Sequence, residues 1–142
     1  MNERLPVKKI LVAVDGSPQS MRAIKLASRM ARDMDAGITL IHVQELHGLP
    51  TLIAEAEDEA ASERGQMVLG AAAKVVRLDG LTPKAILRKG HAADQILRYI
   101  VANKPDVVVM GRRGLSRVKS ILMGSTSQAI AQHAKCAVLI VN

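Results

Sequence analysis

The chain has 142 residues, of which 49% are hydrophobic and 23% charged, and a formal net charge of +7. These values are typical of one soluble globular domain, residues 1–142. There is no Phe, no Trp and one Tyr, so the core must be aliphatic, and modules that stack nucleobases on aromatic side chains are disfavoured. The single cysteine, Cys136, excludes an intramolecular disulfide framework and a thiolate metal cluster.

The basic residues are scattered along the chain and form no recognition motif. Charge alone therefore does not indicate a specific nucleic-acid partner. No stretch approaches the roughly 20 apolar residues of a membrane span, and the apolar run Ile10–Val14 is too short for a signal peptide. We expect a cytoplasmic protein with neither a membrane partner nor a specific nucleic-acid partner.

The first third of the chain predicts a strand, a helix and a second strand. Lys8–Val14 is a continuous apolar run, which is typical of a strand buried on both faces of a parallel sheet. Ser17 as N-cap and Pro18 at the first helical position predict a helix start, and Gly37 is the predicted residue just beyond the helix end. Ile38–Val43 is the second predicted strand.

The middle of the chain predicts a long helix, a strand and a shorter helix. The long helix covers about Thr51–Leu78, although Gly65 and Gly70 could kink or split it. Pro83–Lys89 reads as a half-exposed strand, and Ala92–Asn103 has the apolar spacing of a helix that packs on a core.

The last third predicts strand Asp106–Met110, a helix that begins near Ser125, and strand Ala137–Val141. Five strands that alternate with helices imply an α/β fold with a parallel sheet covered on both faces. In such sheets, ligands bind at the carboxyl ends of the strands, where the chain connections diverge.

A glycine-punctuated segment links the last two of these strands. Gly111, Gly114 and Gly124 break the chain, and Ser125 and Thr126 follow at the helix start. Glycines let backbone N–H groups approach a ligand closely, and a helix N-terminus attracts anions. The segment also carries four basic residues: Arg112, Arg113, Arg117 and Lys119. We interpret it as a phosphate-binding loop; the alternative is that the glycines only turn the chain and cap the helix.

Asp15 directly follows the first strand and could accept hydrogen bonds from ribose hydroxyls or a base edge. The alternative is that it only caps the helix beside Ser17.

The sequence resembles the universal stress protein family over essentially its whole length. The opening Lys9-Ile-Leu-Val-Ala-Val-Asp-Gly-Ser17 matches the family, and Gly111-x2-Gly114-x9-Gly124-Ser125 has the spacing of its ATP-binding branch. The resemblance implies a Rossmann-like, doubly wound sheet of the adenine nucleotide α-hydrolase type, with strand order 3-2-1-4-5.

The resemblance also implies a role for individual residues. Val14 and Val43 would line the base pocket, Asp15 would contact the ribose or adenine, and Met110 and Gly111 would lead into the phosphate site. The residues implied to contact phosphates are Gly114, Gly124, Ser125 and Thr126. Arg112 and Arg113 stand where the family often has small or polar residues, and they either strengthen triphosphate binding or point to solvent.

We therefore expect an ATP-binding, nucleotide-dependent regulatory protein of the stress response, which forms a homodimer through strand Ala137–Val141. A Mg²⁺ held mainly by the phosphates could accompany the ATP. The alternative is a slow ATPase or phosphotransferase at the same site. It is disfavoured because a G-x4-G-K-[ST] loop is missing and no histidine stands in an obvious base position, although His91 could approach the crevice. A docking module with a vestigial site is a third possibility.

Overall fold

The computed structural model describes residues 6–45, 51–113 and 123–142, with the backbone alone for 51–54. Along these residues, strands and helices alternate in the order β1 Lys9–Ala13, α1 Pro18–Met34, β2 Gly37–Gln44, α2 Thr51–Leu78, β3 Lys84–Lys89, α3 Ala92–Asn103, β4 Val107–Gly111, α4 Ser125–His133 and β5 Ala137–Val141.

The five strands form one parallel sheet with the order β3-β2-β1-β4-β5, as predicted. At its centre, Val12 of β1 pairs with Leu40 of β2 on one side and with Val109 of β4 on the other. The chain leaves β1 toward β2 and returns on the opposite side as β4. The carboxyl ends of β1 and β4 therefore border the crevice where ligands bind in folds of this type.

The core has two aliphatic layers, one on each face of the sheet. Val12, Ile24 and Leu40 belong to the layer under α1 and α2, and Leu11 and Ile130 to the layer under α3 and α4. Successive strand residues alternate between the two layers, because neighbouring side chains of a strand point to opposite faces. Both layers lack aromatic residues except for the partly buried Tyr99, in keeping with the composition.

The predicted end of α1 is wrong. The helix ends at Met34, and its C-cap Asp35 has a left-handed backbone (φ 54°) and an N–H that bonds back into the last turn. Gly37 instead opens β2, and its N–H donates to the Lys8 carbonyl at 2.8 Å. Aspartate tolerates this conformation better than most non-glycine residues, so the helix does not need a glycine to stop. The other element boundaries agree with the prediction to within one residue.

The helix α2 is unbroken despite its two glycines. A Cβ built on Gly65 would lie 2.8 Å from Leu87 Cδ1 and 3.0 Å from His42 Cδ2, whereas one on Gly70 would meet nothing within 4 Å. Gly65 thus lets α2 lie closely against β2 and β3. No helix of the described ranges is both long and apolar enough to span a bilayer.

Candidate functional site

A cavity of about 350 Å³ opens at the carboxyl ends of β1, β2 and β4, and the first turns of α3 and α4 complete its wall. Its volume is within the range of roughly 300–1,000 Å³ that is usual for small-molecule sites. Eight of the residues predicted from the sequence line it: Val14, Asp15, Val43, Met110, Gly111, Gly124, Ser125 and Thr126.

The remaining predicted residues lie elsewhere or outside the described ranges. Arg112 does not line the cavity, whereas its neighbour Arg113 does. His91 begins α3 as its N-cap and does not line the cavity either. Gly114, Arg117 and Lys119 fall in 114–122, which is outside the described residues.

Asp15 is held in the turn that joins β1 to α1. Its Oδ1 accepts the Ser17 N–H at 2.9 Å, and its own N–H donates to Ser20 Oγ at 3.2 Å. Ser17 Oγ in turn accepts the Ser20 N–H at 3.1 Å and caps the helix, as predicted. Gly16 supplies the positive φ of 84° that the turn needs. One carboxylate oxygen therefore orders the turn, and Oδ2 has no hydrogen-bond partner within the described residues.

Another part of the cavity wall is the N-terminus of α4. Gly124 is the N-cap and has no side chain to cap the helix. The Gly124 carbonyl accepts the Gln128 N–H at 3.0 Å, which is the first backbone hydrogen bond of the helix. The N–H groups of Ser125 and Thr126 precede that bond, so the helix itself gives them no acceptor. Together with the helix dipole, such donors favour an anion.

Arg112 supports this wall through its main chain. Its carbonyl accepts the Gly124 N–H at 2.9 Å and the Ser127 hydroxyl at 2.6 Å. Its own N–H donates to the Val141 carbonyl at 2.8 Å, at the end of β5. The prediction assigned Arg112 to the ligand site through its charge; the described contacts are those of its peptide groups, which hold α4 and β5 to the end of β4.

The rest of the cavity wall is apolar with a few polar groups. Ile41 and Ile96 provide apolar surface in addition to Val43, and Glu45 also lines the cavity. Sequence analysis did not single out these residues as ligand contacts, although the alternation along β2 and the start of α3 could have indicated them. Carboxylates, an arginine and helix N–H groups around one cavity suit a ligand that has a polar organic part and an anionic part.

His42 also lines the cavity, and one of its ring nitrogens is hydrogen-bonded to the backbone. Its Nδ1 lies 2.8 Å from the Val14 carbonyl. A carbonyl only accepts, so Nδ1 carries the proton. No group of three or more His, Cys, Asp or Glu residues that could hold a metal ion occurs within the described ranges.

The comparison with known proteins agrees with this fold. The model of the "Universal stress protein family" matches residues 6–142. A universal stress protein of Thermus aquaticus is 35% identical over 136 residues, which cover 94% of this chain and 98% of the relative.

Solved structures share the fold at lower sequence identity. The universal stress protein UspA from Lactobacillus plantarum superposes with a TM-score of 0.90 at 21% identity, over 98% of this chain and all of that one. Two more distant structures contain adenine nucleotides. One is an Archaeoglobus fulgidus universal stress protein in complex with dAMP (TM-score 0.73, 20% identity, 97% and 100% coverage). The other is an Arabidopsis thaliana family protein with AMP bound (TM-score 0.72, 23% identity, 94% and 90% coverage).

The family match extends over nearly the whole length, and the relative from Thermus aquaticus exceeds 30% identity. This chain belongs to the universal stress protein family.

Proposed function

We propose that this protein is an ATP-binding regulatory protein of the stress response, and that the nucleotide occupies the cavity at the carboxyl ends of β1 and β4. One observation carries the proposal: the same cavity is bordered by a fixed carboxylate, an apolar pocket and an uncapped helix N-terminus. These are the complements of a ribose, a base and a chain of phosphates.

In the proposed complex, the adenine packs against Val43 and the neighbouring apolar wall. The Oδ2 atom of Asp15 accepts a ribose hydroxyl, since Oδ1 is engaged by the Ser17 N–H. The phosphates lie at the start of α4, where the N–H groups of Ser125 and Thr126 donate to them. Arg113 adds positive charge beside them.

Two considerations support adenine nucleotides, and ATP among them. Related proteins of the same fold contain AMP and dAMP, and the Gly111–Ser125 spacing resembles that of the ATP-binding branch. A Mg²⁺ would arrive with the nucleotide, held mainly by phosphate oxygens. The described residues contain no cluster that could hold a metal ion without it.

We further propose binding rather than turnover. Two titratable groups that line the cavity are engaged in hydrogen bonds that order the protein itself. Asp15 Oδ1 accepts from Ser17, and His42 Nδ1 donates to the Val14 carbonyl. In the proposed complex the ribose also occupies Asp15 Oδ2, and the sequence lacks the G-x4-G-K-[ST] loop that places a lysine and a magnesium-binding hydroxyl at the phosphates. A residual slow hydrolysis would be the signature of the alternative, an ATPase.

The homodimer is proposed on the geometry of β5, an edge strand whose one partner among the described strands is β4. The Val141 carbonyl faces β4, because it accepts the Arg112 N–H. Main-chain groups alternate in direction along a parallel ladder, so those of Val138 and Ile140 face the open edge. The side chains of 138–141 are only partly buried. Pairing with a second β5 would satisfy these groups and protect an apolar edge from aggregation.

The experiment that tests the site compares ATP binding by the wild type, Gly124→Val and a matched Gly70→Val variant, by titration calorimetry. A Cβ on Gly124 would lie 3.4 Å from the Arg112 carbonyl oxygen and from Arg113 Cα, which is ordinary van der Waals contact, and φ there is −65°. The fold therefore tolerates a side chain at this position.

We expect a loss of ATP affinity of at least about tenfold in Gly124→Val, because the branched side chain stands where the phosphates approach; tenfold corresponds to about 1.4 kcal/mol. Gly70→Val, on the exposed side of α2, should bind as the wild type does. Unaltered binding by Gly124→Val, or a wild type that does not bind ATP, would contradict the proposal.

A further inference from the structure

Gln19, in the first turn of α1, makes a contact that neither the cavity wall nor the sequence pattern reveals. Its Oε1 accepts the N–H of Arg113 at 2.6 Å, across 94 positions of sequence. Gln19 does not line the cavity, whereas Arg113 does. The Gln19 side chain therefore affects the site indirectly, by a hydrogen bond to the backbone of Arg113 just after β4.

The bond replaces one that the sheet cannot make. The Arg112 N–H faces β5, where the Val141 carbonyl accepts it. By alternation, the Arg113 N–H faces the side of β1. However, β1 has already ended at Ala13 and the chain has turned into α1. The Gln19 side chain supplies the carbonyl that a longer β1 would have supplied.

The backbone beneath this bond is closely packed. A Cβ on Gly111 would lie 2.9 Å from Gln19 Cβ and 3.1 Å from the Gln19 carbonyl carbon. The end of β4 thus lies directly against the first turn of α1, and no larger residue fits between them. This contact fixes where the Gln19 side chain starts, so its amide reaches Arg113 from a defined position.

The chain comes back to the sheet at Gly124, and the carbonyl of Arg112 fixes this position. The Arg112 carbonyl accepts from both the Gly124 N–H and the Ser127 hydroxyl, and Ser127 is 3% exposed. The chain therefore leaves the sheet at Arg113 and comes back at Gly124 beside its starting point. The bonds from Ser127 and the Gly124 N–H fix the backbone where the chain returns to the sheet, and the bond to Gln19 fixes it at Arg113, where the chain leaves.

We propose that Gln19 is a positioning residue for the nucleotide. By accepting the Arg113 N–H, it fixes the backbone of this cavity-lining residue and joins it to the turn of Asp15, which lies four residues before Gln19 in the sequence. The inference rests on the proposed function, because it concerns the affinity for ATP.

The test compares the wild type with Gln19→Met, Gln19→Glu and Gln66→Met. Methionine has a similar length and no strong acceptor, glutamate keeps an oxygen at the same distance, and Gln66 is an exposed residue of α2. Two quantities are measured: ATP affinity by calorimetry, and the exchange rate of the Arg113 amide hydrogen without nucleotide, by NMR.

We expect Gln19→Met to exchange the Arg113 amide at least tenfold faster and to bind ATP about tenfold more weakly, because one partly buried hydrogen bond is lost. Gln19→Glu should restore the slow exchange, and Gln66→Met should match the wild type in both measurements.

The inference is overturned if Gln19→Met binds ATP as the wild type does. It is also overturned if affinity falls while the Arg113 amide exchanges at the wild-type rate, since the effect would then not pass through this bond. A wild type that does not bind ATP would refute the proposed function itself, before any variant is compared.

Discussion

Two glycines in α2 offer a matched test of how closely that helix lies on the sheet beside the cavity. Gly65 and Gly70 are five residues apart in one unbroken helix. At Gly70 a Cβ would meet nothing within 4 Å. The change Gly70→Ala should therefore yield the helix-propensity gain alone, about 1 kcal/mol in the free energy of unfolding.

The same change at Gly65 brings a second contribution of opposite sign. The new methyl would lie 2.8 Å from Leu87 Cδ1 and 3.0 Å from His42 Cδ2. The Leu87 methyl is at the end of a flexible chain, but the His42 ring is anchored to the Val14 carbonyl. Overpacking of this kind costs about 1–3 kcal/mol, so we expect Gly65→Ala to be less stable than Gly70→Ala by that amount.

Urea unfolding of both variants measures the difference, with equal m-values as the check that both unfold in the same way. Because His42 supports the wall of the cavity, Gly65→Ala should also weaken ATP binding while Gly70→Ala does not. If the two alanine variants are equally stable, the close approach of α2 to His42 and Leu87 does not restrict the size of the side chain at position 65, and the reasoning fails.

Two further predictions concern the sheet. The N–H groups of Lys8 and Lys9 donate to the Asp106 carboxylate and lower its pKa. The ionised carboxylate therefore adds to the free energy of unfolding above the ordinary aspartate pKa, and this contribution is lost as the pH falls toward the lower pKa of the folded state. Asp106→Asn should thus be less stable at neutral pH, and its stability should fall less than that of the wild type below about pH 4; parallel urea-unfolding profiles against pH would contradict this. Ile140→Pro removes an outward N–H of β5 and should shift the protein from dimer to monomer in sedimentation, whereas Ile140→Ala, which loses the packing alone, should remain dimeric; equal behaviour of the two would refute pairing through this edge.

The strands and helices were predictable because the apolar runs are short, uninterrupted and bounded by strong helix-start signals such as Ser17-Pro18. The strand order followed from the resemblance to the family, and the structure confirms it. The end of α1 was mispredicted because a glycine is the usual sign of a left-handed cap, and here Asp35 adopts that conformation two residues earlier.

The candidate site was predictable where it depends on strand ends, because a parallel sheet brings all its carboxyl ends to one edge. This rule placed Asp15 and Gly111 together without any knowledge of contacts, and the resemblance to the family added Val43. It could not indicate Gln19 or Ser127, whose bonds to the segment after β4 depend on the packing of helices far apart in sequence. That the grouped residues contact a nucleotide remains a prediction.

The most direct test of the central claim is the nucleotide content of the purified protein, measured by denaturing it and separating the supernatant by ion-exchange chromatography. We predict intact ATP at about one molecule per chain, which would establish binding with slow or absent turnover. ADP in its place would favour the ATPase alternative. An empty protein that excess Mg-ATP does not stabilise against heat would contradict the account of the cavity as a nucleotide site.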